Sequence, residues 1–105
     1  MNIFQQGDVV VKSINIIPNG DRVRDDLLNK GILALGDATG HCHQLIEQDG
    51  VEAFRIMNVI YLKLAKETSL KHQEHHEIKL PPGDYLVDIV READHMSGVI
   101  RRVVD

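Results

Sequence analysis

Short apolar runs, each broken by turn residues, constrain this chain more than any other feature. Residues 9–17 (VVVKSINII) form the first run, and Pro18-Asn19-Gly20-Asp21 breaks it. Residues 31–36 (GILALG) are flanked by glycine at both ends. Residues 51–56 follow Asp49-Gly50, and residues 59–64 alternate, with Ile60, Leu62 and Leu64 set against Tyr61 and Lys63. Pro81-Pro82-Gly83-Asp84 introduces residues 85–91. Runs this short, rich in β-branched residues and bounded by Gly, Pro, Asn and Asp, are the signature of strands. They predict a mainly β protein: a small β-barrel or sandwich of about seven or eight short strands. At most one short helix fits, around Asp25-Asp26-Leu27-Leu28. The Asp49-Gly50 pair predicts a hairpin joining a strand over 41–47 to one over 51–56. Residues 65–70 read as a connector, and 99–104 as a last strand or short helix.

A length of 105 residues predicts a single β domain over 1–105. With 43% hydrophobic residues and no Trp, its core must rest on Ile, Leu and Val. The net charge of −4 argues against a general nucleic-acid binder, and the Arg101-Arg102 pair does not reverse that. No apolar run approaches the length of a membrane span. The N-terminal segment MNIFQQ is short and mixed, unlike a secretory signal. A single cysteine, Cys42, excludes an intrachain disulfide and fits a reducing compartment. The expectation is a cytoplasmic protein with no nucleic-acid or membrane partner. Its partner would be a small molecule or another protein, a second copy of the chain included.

The chemistry is concentrated in histidine. Five of the six histidines fall in two clusters, His41-Cys42-His43 and His72-Gln73-Glu74-His75-His76. Imidazole is the commonest metal ligand among side chains. In a strand, residues i and i+2 share a face, so His41 and His43 point side by side and Cys42 points away. His72 and His75, three apart, suit a turn that aims both inward. Glu74 and His76 are adjacent alternatives. Glu47 shares the His41 face but lies about 13 Å beyond His43 at about 3.3 Å per residue, so only a bulge or bend would let it reach the same ion. The expected metal ligands are His41, His43, His72 and His75. They would hold one divalent transition metal, Zn, Fe, Mn or Ni. A site without cysteine more often keeps an exchangeable position than closes all four. If the protein is an enzyme, the expected step is attack by a metal-bound water or Lewis-acid activation of an oxygen, with Glu74 as general base. Read individually, the same histidines are ordinary solvated side chains. Asp37 reads as a turn residue or a support for a ligand histidine, His95 as a loop residue, and Tyr85 as core.

Several motifs together resemble a group of small, mostly uncharacterised bacterial and phage proteins, from end to end of the chain. They are Gly7-Asp8-Val9, the Leu-Ala-Leu-Gly of 33–36, Thr39-Gly40-His41-x-His43, Leu70-x-His72-x-Glu74-His75, the Leu-Pro-Pro-Gly-x-Tyr of 80–85 and the Arg-Arg-Val-x-Asp of 101–105. The resemblance favours His41, His43, His72 and His75 over His76 and implies no particular activity. His41, His43 and Glu47, with Pro81-Pro82-Gly83, also resemble the cupin motifs. Cupins carry a histidine after their Pro-x-Gly, whereas His72 and His75 precede it here. Residues 7–12 and 31–36 resemble the co-chaperonin barrel, which would imply an oligomeric, metal-free module. A non-catalytic phage or bacterial accessory protein is the corresponding alternative to an enzyme.

Overall fold

The computed structural model describes residues 2–36, 40–46 and 49–90. Among these residues, nine strands form two antiparallel sheets. The first sheet contains β1 (Ile3–Gln6), β2 (Val9–Ile14), β5 (Val51–Ile56), β6 (Val59–Leu64) and β9 (Gly83–Ile89), in the order β1-β2-β9-β6-β5. The second contains β3 (Ile32–Leu35), β4 (Cys42–Leu45), β7 (Thr68–Lys71) and β8 (Ile78–Leu80), in the order β3-β4-β7-β8. One helical turn, α1 (Asp26–Asn29), leads into β3. Among the described residues no helix is long and apolar enough to cross a membrane.

The core lies between the sheets, because alternate residues of each strand point the same way. Val9, Val11, Ile60, Leu62, Leu64, Tyr85 and Val87 from the first sheet meet Leu33, Leu45, Leu70, Ile78 and Leu80 from the second. Tyr85 is buried there as the sequence suggests, and its hydroxyl donates to the Pro81 carbonyl at 2.5 Å. The opposite face of the first sheet carries a smaller cluster of Ile17, Phe54, Ile56 and Tyr61. Asp25 caps α1, its side chain accepting from the Leu28 amide at 2.8 Å, and Leu28 is buried in the main core.

The sandwich expectation holds, but the barrel does not form, since each sheet keeps two edge strands. Two strands are additional to the sequence reading. Ile3-Phe4-Gln5-Gln6, left out of the expected strands, is β1, and β7 over residues 68–71 begins inside the expected 65–70 connector. Both hide buried polar residues, Gln6 in β1 and Thr68 and Ser69 in β7. The Asp49-Gly50 hairpin is also corrected: β4 pairs with β3 and β7, whereas β5 pairs with β6 across Met57-Asn58. Met57 and Asn58 take φ of 49° and 70°, the two left-handed positions of a type I′ turn. The expected final strand over 99–104, Arg101-Arg102 and His95 lie outside the described residues.

The β1–β2 hairpin turns at Gly7-Asp8, with Gln6 opposite Val9. Gly7 has φ 58°, a value glycine adopts without steric cost. This turn brings Gln6 and Asp8 of the first sheet to the end of β4.

Candidate metal centre

His43 is fully buried in β4, and His41 sits just before that strand. The Gly36 amide donates to the His41 carbonyl at 2.7 Å, pinning His41 beside the end of β3. Residues 72–77 link β7 to β8 and fold back over β4. The Cys42 amide donates to Gln73 Oε1 at 2.9 Å, and the Glu74 amide donates to His72 Nδ1 at 3.1 Å. From the first sheet, the buried Gln6 side chain completes the attachment. Its Nε2 donates to the carbonyls of Leu70 at 2.7 Å and His76 at 2.8 Å, and its Oε1 lies 2.8 Å from His43 Nδ1.

This framework brings the two histidine clusters together. Asp8, Gly36, His41, His43, His72, Glu74 and His75 line one cavity of about 260 Å³. Ring centres are 4.3 Å apart for His43 and His72, and 4.7 Å for His72 and His75. They are 5.6 Å apart for His41 and His72, and 6.1 Å for His43 and His75. His43 Nε2 lies 3.3 Å from Asp8 Oδ1, and His41 Nδ1 lies 3.5 Å from Glu74 Oε1. Glu74 is largely exposed at the lip.

Two glycines make room for the rings. A Cβ on Gly36 would lie 2.8 Å from His41 Cβ and 3.1 Å from His72 Nε2. A Cβ on Gly7 would lie 2.7 Å from His75 Nε2.

Burial in the cavity favours neutral imidazole at His43 and His72. Burial pushes the His43 pKa down to about 4, the nearby imidazoles of His72 and His75 also lower it, and Asp8 only partly opposes this. His72 is lowered too, by burial first and then by His75 and His41. Neutral imidazole is the form that ligates metals. As the rings stand, no three His, Cys, Asp or Glu side chains among the described residues aim their donor atoms at a common point suited to an ion.

The four histidines expected as ligands therefore line one cavity, with Glu74 at its edge. His76 is exposed and contributes its backbone carbonyl to Gln6. Cys42 is half-buried and is not among the lining residues. Glu47 and Asp37 lie outside the described residues. Sequence reasoning missed Asp8 and Gln6. Gly7-Asp8 is a recognisable two-residue turn, but only once Ile3-Phe4-Gln5-Gln6 is read as a strand.

A family described as a domain of unknown function (DUF8820) matches residues 5–90, a span that includes every residue of this cavity. No curated protein and no solved structure matches the chain.

Proposed function

We propose that this chain, which belongs to the DUF8820 family, binds one divalent transition-metal ion through His41, His43, His72 and His75. The convergence of four imidazoles from two distant segments into one cavity carries this reading. Zinc–nitrogen bonds of about 2.0–2.1 Å place a ligating ring's centre roughly 3.2 Å from the ion, so two such rings lie about 4.5–5.2 Å apart. Of the observed separations, 4.7 Å lies in that range, and 4.3, 5.6 and 6.1 Å lie within about 1 Å of it. Rotation about the Cα–Cβ bonds moves the ring centres, and rotation about the Cβ–Cγ bonds sets where the nitrogens aim. Ligation therefore asks for side-chain rotation on both bonds.

The site suits a working ion better than a structural clasp. Gln6 and Gln73 already hold the 72–77 loop through hydrogen bonds, so the loop does not depend on metal to dock. An ion held by imidazoles at the cavity wall leaves room for a small molecule, and Glu74 stands at the lip as the candidate general base. Metal-assisted hydrolysis and cupin-like oxidation both use such ligands. Zinc would indicate the first, and iron or manganese the second.

Isothermal titration of chelator-stripped protein with zinc chloride tests the reading. One site per chain is expected for the wild type and none for the His43→Ala/His72→Ala variant. The chelated protein is expected to remain folded, with a melting temperature only several degrees lower, since ligand removal forfeits only the binding free energy. Collapse of the fold on chelation would instead assign the ion to a non-catalytic, structural module.

A further inference from the structure

We infer that Asp8 is the anionic ligand of this centre and that Gln6 presets His43 to bind the ion through Nε2, so that the ion bridges the two sheets. The inference rests on the metal-binding reading above and adds two residues from the first sheet to it.

The Gln6 amide has one chemically sensible orientation. Its nitrogen lies within hydrogen-bond distance of two carbonyl oxygens, those of Leu70 and His76, and only an NH₂ group can donate to both. The atom facing His43 is therefore Oε1, which has no hydrogen to give. A contact of 2.8 Å between Oε1 and His43 Nδ1 then requires the proton to be on Nδ1. In the neutral ring this leaves Nε2 with a bare lone pair. The opposite tautomer would set two acceptors against each other at that distance.

Nε2 faces Asp8 Oδ1 at 3.3 Å. A lone pair and a carboxylate oxygen repel unless a cation stands beside them. Metal bonds of about 2.0–2.1 Å to nitrogen and 2.0–2.2 Å to oxygen, at the roughly 90–120° angles between neighbouring ligands of a five-coordinate ion, separate the two ligand atoms by about 2.8–3.7 Å. The observed spacing falls within the range for two neighbouring ligands of one ion. Gln6 occupies the position of the partner that fixes tautomer and ring orientation in histidine metal sites. One carboxylate with several imidazoles suits divalent ions such as Zn, Fe or Mn over the soft Cu(I), which selects thiolate and thioether.

Two measurements test this. Long-range ¹⁵N–¹H correlation spectra of the metal-free full chain at neutral pH should show His43 as the Nδ1-protonated tautomer. An Nε2-protonated His43 would overturn the role given to Gln6. Cobalt(II) chloride titration then compares wild type with Asp8→Asn, which keeps the side chain's shape and removes its charge. The variant should bind cobalt about tenfold or more weakly, with altered visible ligand-field bands. Equal affinity and identical bands in wild type and variant would remove Asp8 from the coordination sphere while leaving the metal-binding reading intact. Failure of the wild type to bind cobalt or zinc at all would remove both.

Discussion

Gln6 is the residue on which the site's geometry turns. It is fully buried and has three partners, two in the second sheet and its loop's carbonyls and one in His43. Replacing it with leucine keeps most of its volume and leaves those partners unsatisfied. Buried groups that lose their hydrogen bond cost about 1–3 kcal/mol each, so Gln6→Leu is expected to lower stability by roughly 3 kcal/mol or more in urea denaturation. A loss below about 1 kcal/mol would show that water replaces the amide. Gly36 couples site and stability. Gly36→Ala puts a methyl group 2.8 Å from His41 Cβ, which the backbone holds in place, and 3.1 Å from His72 Nε2, so zinc affinity and melting temperature should both fall. His43 predicts the acid response of the metal-free protein. Its folded pKa of about 4 is below the ordinary value of 6.5, so the unfolded chain takes up a proton first as pH falls. Its contribution is fully present above pH 6.5 and is lost progressively between there and about pH 4. Thermal melts of wild type over that window should decline more steeply than those of His43→Gln, and parallel profiles would contradict the assignment.

At the scale of elements, the parts of the site visible in the sequence are those set by local period. His41 and His43 both line the cavity and Cys42 does not, as the two-residue repeat of a strand predicts, although β4 itself begins only at Cys42. The part that was not legible depends on pairing between distant segments. Asp8 and Gln6 reach the histidines only because β1 folds back on β2 at Gly7-Asp8 and the resulting hairpin lies over the end of β4. Gln6 is polar, so it weakens the strand pattern of residues 3–6, and only the tertiary hydrogen bonds explain its burial. Thr68 and Ser69 obscure β7 in the same way. Asp49-Gly50 shows a related limit. Turn chemistry marks where the chain reverses but not which sheet the next strand joins. Here the chain leaves β4 in the second sheet and enters β5 in the first. Strand β5 is paired by the Met57-Asn58 turn, where both residues hold left-handed backbone. Asn58→Val places a β-branched residue at φ 70° and is expected to cost about 1–3 kcal/mol in denaturant titration, with metal affinity retained because neither Met57 nor Asn58 lines the cavity.

For the whole molecule, the two sheets share one apolar core and one polar cavity. The core should set most of the stability and the cavity the function, with Gln6 and His43 contributing to both. Leu62 is fully buried in the main cluster, and Leu62→Ala is expected to destabilise by about 2–5 kcal/mol while zinc stoichiometry stays unchanged in the folded fraction. The account's central claim is that four histidines, His41 and His43 at the start of β4 and His72 and His75 in the 72–77 loop, hold one ion. Native mass spectrometry of zinc-equilibrated protein after gel filtration tests it most directly. The wild type should carry one zinc per chain, and the His43→Ala/His72→Ala variant, verified as folded by circular dichroism, should carry none. Equal zinc content in the two proteins, or no zinc in the wild type, would contradict the account.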